Sequence, residues 1–196
     1  MACTNCYATT DELKTRLDIL GTDDDAMLED IIEAASRQID GWCGRSFYAD
    51  AAATRYYTAD SIDVLVLHDD LVSVTTLKTD EDADRVYETT WAATDYDLEP
   101  LTGPPYTRIH LAPMGRYGFP THRKAIEITG TFGYSDVPHA IREACLLQAG
   151  RLYKRKDAPF GIAGSQDAGQ LQTIGGMDPD VKQMVQHYRK PLAVGV

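Results

Sequence analysis

Read for the spacing of its apolar residues, the chain changes period twice. From Thr9 to Trp42 those residues recur at helical intervals. Leu13, Leu17 and Leu20 line a short helix, which Thr9 and Glu12 open as a capping box and Gly21 closes. Thr22 is expected to cap a second helix, with Asp23, Asp24 and Asp25 in its first turn. Carboxylates there meet unpaired amides and the positive end of the helix dipole. Leu28, Ile31, Ile32, Ala35, Ile39 and Trp42 then form one buried stripe, and Gly44 supplies a left-handed stop. The stretch "RQIDGWCGRSFY", Arg37 to Tyr48, is therefore a helix end followed by a restart on an arginine and two aromatics.

After Phe47 the period shortens to two. "TRYYTA", "SIDVLVLH" and "LVSVTTLKT" predict short strands, with turns at Ala59-Asp60-Ser61 and at Asp69-Asp70. "DEDAD", Asp80 to Asp84, reads as a solvated hairpin tip. "TDYDLEPL" and "YTRIHLA" make a further pair around "TGPP". In "KAIEITGTFGY", Ile126, Ile128 and Phe132 alternate inward against Glu127, Thr129 and Thr131. Strands at this spacing form a small antiparallel sheet or barrel.

Helical spacing returns at Pro138, a favourable residue for a first turn. Ile141, Cys145, Gln148 and Leu152 share one face, and the helix ends in "RLYKRK". A glycine-rich stretch from Gly161 to Gly176 has the composition of a flexible loop. Asp178-Pro179 opens a last helix with Val181, Met184, Val185 and Tyr188 on its inner face; Pro191 ends it. The prediction is an α+β chain. A helical bundle of two N-terminal helices (1–48) and two C-terminal helices (136–190) carries an inserted small antiparallel β-subdomain (49–135). A tail, 191–196, follows.

Charge adds a constraint. The 196 residues include 30 acidic and 19 basic side chains, a net charge of −11. Residues 1–100 hold 23 of the acids and seven of the bases; residues 101–196 hold seven and 12. So acidic a chain is not built to grip DNA phosphates, which requires net cationic contacts. Two differently charged faces, or plain solubility, account for the imbalance. No apolar run reaches membrane-spanning length, and no basic-then-apolar leader precedes the first helix.

Candidate chemistry is sparse. Cys3 and Cys6 form a C-x-x-C that fits half a zinc site or a redox pair. No second pair follows, so reduced thiols on a frayed terminus are expected. Cys43 and Cys145 fall on apolar helix faces and act as small hydrophobes. Asp80, Asp82 and Asp84 copy the opening of a calcium loop, but Arg85 stands where glycine is needed and Trp91 where glutamate is needed. The glycine-rich stretch lacks the G-K-[ST] of a phosphate loop. His68, His110, His122, His139 and His187 are scattered without metal spacing. "RLYKRK" places cations at a helix C-terminus, where the dipole favours them; a nucleic-acid patch or partner binding are its other readings. The expectation is no enzyme, no cofactor and no metal.

Five segments in order carry a resemblance: "TTDELKTRLDI"; "DDDAMLEDIIEAASRQIDGWCGRSF"; "HDDLVSVTTLKTD" leading into "YDLEP"; "IEITGTFGYSDVPHAIREACLLQAGRLYKRKDAP"; and "DPDVKQMVQHYRKP". Together they resemble the head–tail connector (adaptor) proteins of tailed phages and gene transfer agents. The resemblance implies a homo-oligomeric, twelve-fold ring beneath the portal protein, in the virion neck, assembled in the host cytoplasm. It would extend the DNA channel without specific DNA binding and meet a stopper or tail-completion protein on its far side. It also implies that the C-terminal segment reaches the portal. Tyr188, Arg189, Lys190, Leu192, Val194 and Val196 are the candidate portal-binding residues: an uncharged tail suited to an added strand or groove, with cations at its rim. The competing readings are a small acidic DNA-mimic inhibitor and a CxxC metal-binding module. A mimic should be acidic throughout, whereas the acidity here reverses.

Overall fold

The computed structural model describes residues 3–113, 115–157, 162–163, 171–172 and 176–190. The chain is α+β, with four α-helices and a six-stranded antiparallel sheet among those residues. It divides into two compact units, residues 1–47 with 137–196, and residues 48–136. None of the helices described is long and apolar enough to cross a membrane.

The first unit holds α1 (Thr10–Leu17), α2 (Asp25–Cys43), α3 (His139–Lys154) and α4 (Pro179–Val185), and α3 packs against the other three. The capping box at α1 is complete. Thr9 Oγ1 accepts the Glu12 amide at 3.2 Å, and Glu12 Oε2 accepts the Thr9 amide at 2.9 Å. The helix stops earlier than Gly21, at Asp18 in the left-handed conformation (φ 57°). Leu20 therefore leaves the helix face and is 99% exposed. Aspartate visits that conformation more readily than bulkier residues do.

At α2 the cap is Asp24, not Thr22, and only Asp25 lies in the first turn. The Asp24 carboxylate makes no capping bond. It accepts instead from Tyr153 Oη at 2.7 Å and Lys156 Nζ at 3.3 Å, partners the sequence neighbourhood does not reveal. The buried stripe is Leu28, Ile32, Ala35, Ser36, Ile39 and Cys43, with Ile31 and Trp42 half-buried on its flanks. Gly44 ends the helix at φ 66°.

The N-terminal segment differs from expectation. Cys3 and Cys6 form a disulfide. Tyr7 is buried; its hydroxyl donates to the Asp40 carboxylate and accepts the Phe47 amide at 2.8 Å. The disulfide and the anchored Tyr7 replace the free thiols expected at Cys3 and Cys6.

The second unit is the sheet: β1 (Ala49–Tyr57), β2 (Val64–Thr79), β3 (Thr89–Thr90), β4 (Tyr96–Glu99), β5 (Tyr106–Leu111) and β6 (Ile126–Gly133). Its order is β1-β6-β2-β5-β4, with β3 also pairing β2. In β6, Ile126, Ile128 and Phe132 are buried, as their alternation predicts. They meet Leu65, Leu71, Leu77, Ile109, Trp91 and Phe119 in one core. The predicted turn at Asp69-Asp70 is absent. Val64–Thr79 is one strand that pairs β5 along its first part and β6 along its second, with a register shift between Val66 and Leu71. Asp69 holds Arg55 Nη1 at 2.8 Å and Tyr57 Oη at 3.1 Å, so the acidic pair secures an extended strand.

The tail 191–196, with Leu192, Val194 and Val196, lies outside the described residues, as does most of the glycine-rich stretch. Within that stretch β7 (Ile162–Ala163) pairs antiparallel with β8 (Leu171–Gln172).

Candidate functional site

The predicted site begins where the chain leaves α4. Asp178 caps that helix by accepting the Asp180 amide at 2.9 Å, and Pro179 occupies its first turn. Val181 and Val185 are buried, and the helix yields to a 3-10 turn over Gln186–Tyr188. This brings Tyr188, Arg189 and Lys190 onto the end of α2. The Lys190 amide donates to the Cys43 carbonyl at 2.8 Å, satisfying an acceptor left open by the helix end. The Tyr188 ring meets Phe47 edge-on at 5.6 Å, and Tyr7 meets the same ring at 5.8 Å. Arg189 and Lys182 place their charges 5.0 and 4.8 Å from the Trp42 ring centre, within cation–π range. The break at "GWCGRSF" is thus a socket: Trp42, Cys43 and Phe47 receive the root of the C-terminal tail.

Burial sets the electrostatics there. Desolvation holds the Asp40 carboxyl above its ordinary range, against the lowering effects of Tyr7 and Arg37. Burial likewise pushes the Cys43 and Cys145 thiols up to about 11, so both are inert hydrophobes.

The other candidates make contacts within the chain. Carboxylate oxygens of Asp80, Asp82 and Asp84 lie within 4.8 Å of one another. They serve backbone donors: Asp80 accepts the Ala83 and Arg85 amides at 2.8 and 3.0 Å, Asp82 the Asp84 amide, and Asp84 the Val86 amide. Asp80 has no exposed surface, so the hairpin tip is not wholly solvated. His122 Nε2 lies 3.5 Å from Asp80, and His110 Nε2 lies 2.6 Å from Glu99. The cations of "RLYKRK" are partly engaged, Arg151 with Asp178 and Lys156 with Asp24.

One site had no sequence signal. Tyr56, Thr58, Arg85, Tyr87, Arg123 and Lys124 line a concavity of about 780 Å³ on the sheet unit. The Tyr56 and Tyr87 rings lie 5.6 Å apart. Arg85 Nη1 donates to the Arg123 carbonyl, and Tyr87 Oη to the Lys124 carbonyl, both at 2.8 Å. The lining comes from three separated stretches, of which only the dipeptide Arg123-Lys124 is basic by itself.

The profile of the head completion protein family matches residues 7–191. A comparison with curated proteins returns no match. Among solved structures, a chain in the neck of an empty GTA particle computed with C6 symmetry aligns at TM-score 0.55 and 19% identity, over 95% of this chain and 91% of that one. A chain in the neck of the native GTA particle, computed with C12 symmetry, aligns at 0.55 and 20% identity, over 95% and 91%. A chain in the virion of the native gene transfer agent particle aligns at 0.56 and 20%, over 100% and 96%. At such identities the likeness establishes a common fold.

Proposed function

Because the chain belongs to the head completion protein family, we propose that it is a structural, non-enzymatic protein of the virion neck, joining the head to the tail. Copies form a ring beneath the portal, extend the DNA channel and present their far side to a stopper or tail-completion protein. The four helices act as a bundle and the sheet unit as an insertion within it. The observation that carries this reading is the family match across 7–191.

Physical chemistry supports it. A channel through which DNA slides should repel phosphate, and this chain carries net charge −11. Tyr188, Arg189 and Lys190, with Leu192, Val194 and Val196 beyond them, form the anchor to the portal. Deleting the gene tests the function: DNA-filled heads without tails should accumulate, and labelled protein should decorate the neck of wild-type particles. Tailed particles at wild-type yield would overturn it. For the anchor, removing residues 191–196 should abolish docking onto filled heads while leaving the unfolding midpoint in place. Normal docking by the truncated chain would sink that part.

A further inference from the structure

The sheet unit is acidic, with 15 carboxylates against seven lysines and arginines. Arg55, Lys78 and Arg108 each face a carboxylate. Of the other four cations, which have no carboxylate at ion-pair distance among the described residues, three share one concavity: Arg85, Arg123 and Lys124. Like charges gathered with no carboxylate at ion-pair distance, in a unit with a two-fold excess of acid, mark a surface suited to an anion brought from outside. Two tyrosines stand beside them, Tyr56 being half exposed.

Two kinds of anion compete for such a site. Duplex DNA presents a phosphate about every 1.7 Å along its axis. Any approach along the surface would meet Glu81, Asp82, Asp84 and Glu88, all exposed on the connection that carries Arg85. A single protein segment, with one or two carboxylates and an apolar side chain, brings far less negative charge past those acids than a duplex does. The chain itself presents one. The connector between α1 and α2 holds exposed Asp18 and Asp23 on either side of Leu20, which its own unit leaves 99% exposed.

We propose that the concavity lined by Tyr56, Arg85, Tyr87, Arg123 and Lys124 receives the Asp18–Asp23 connector of a second copy of this chain. The tyrosine rings cover Leu20, and the cations pair with Asp18 and Asp23. Pocket and connector are different patches, so the contact is heterologous and propagates around a closed ring. The inference rests on the ring reading above.

Charge reversal tests it in assembling particles. Arg123→Glu with Lys124→Glu should lower the yield of tailed particles by about tenfold or more, with the purified variant keeping its unfolding midpoint. Adding Asp18→Arg and Asp23→Arg should restore much of that yield. An unchanged yield for the first variant, or no rescue by the second, would overturn the proposal. If the reversals unfold the protein, Arg123→Gln with Lys124→Gln replaces them, with the same reduced yield expected. Independently, Leu20→p-benzoylphenylalanine should photo-crosslink, in intact particles, to a peptide containing Tyr87 or Lys124 of another copy. An adduct to DNA or to a different virion protein, or no adduct, would refute the assignment. Mass spectrometry of the same particles separates the two readings. Absence of the chain from them removes the neck function and this contact together, whereas presence with the wrong adduct removes the contact alone.

Discussion

Asp80 is an acid in a hairpin turn, yet water does not reach it. Burial alone would raise its pKa. The amides of Arg85 and Ala83, and then His122, outweigh burial and hold it below the ordinary carboxylate range. A carboxyl whose folded-state pKa is depressed contributes stability above its unfolded value and loses it as the pH falls through the folded one. Asp80→Asn should therefore lower the thermal midpoint at neutral pH, because one of its two acceptor oxygens becomes a donor facing an amide. The gap from wild type should narrow as the pH drops toward about 3, under the unfolded value of about 3.9. Asp82→Asn, one position past Glu81 and exposed, should change stability by no more than about 0.5 kcal/mol. Paired melts across pH decide the matter, and equal midpoints for the two variants would contradict the assignment. Glu99 follows the same sign: its bond to His110 keeps it below the usual range despite desolvation.

At the scale of elements, two glycines in regular structure have opposite meanings. Gly130 sits in β6, between β1 and β2, and a Cβ there would fall 2.1 Å from the Ser73 carbonyl oxygen. The sheet has shaped itself around a missing side chain, beside the register shift at Val74 and Thr76. Gly130→Ala should cost about 1–3 kcal/mol in chemical denaturation, through forced strand displacement. Gly41 lies in α2 with open space where its Cβ would be. Gly41→Ala should stabilise by about 0.5–1 kcal/mol, because alanine loses less backbone freedom on entering a helix. Ile32→Ala in the same helix removes a fully buried branch and should cost about 2–5 kcal/mol. A denaturant series in which Gly130→Ala ranked above Gly41→Ala would reverse this reading of both elements.

Over the whole molecule, the sequence's acidic first half and basic second half do not become two bodies. The helical unit combines the N-terminal acids with the C-terminal bases, for 15 acidic and 12 basic side chains. The ion pairs follow that mixing: Glu12 with Arg142, Asp24 with Lys156, and, in the opposite sense, Arg16 with Glu143. These pairs are part-exposed and screened by solvent, so they add little to stability. Both units end up net negative. Duplex DNA at physiological salt should consequently pass through a gel-retardation assay unshifted by this protein. Retention that weakens with added salt would reveal phosphate binding and contradict the sliding channel.

Periodicity determined the local order of the chain. Helical spacing from Thr9 to Cys43, alternation in β6, the Thr9–Glu12 box, the Gly44 stop and the Asp178-Pro179 start are all short-range consequences of side-chain direction and backbone preference. What a side chain does with a distant partner was not written locally. Asp24 left its capping role for Tyr153 and Lys156, and Asp69-Asp70 became a strand because Arg55, Tyr57 and two pairing partners met it there. Leu20 was exposed when Asp18 ended α1 early, and the cysteines at 3 and 6 pair beside the anchored Tyr7. Of the candidate anchor, the run Tyr188–Lys190 was visible as residues, but its socket on Trp42, Cys43 and Phe47 was not. Of the basic concavity only the dipeptide Arg123-Lys124 was local, and its gathering with Arg85 was not legible. Its cations sit at positions 85, 123 and 124, and only antiparallel pairing, which joins residues by hydrogen bonds across any length of chain, brings such positions to one surface.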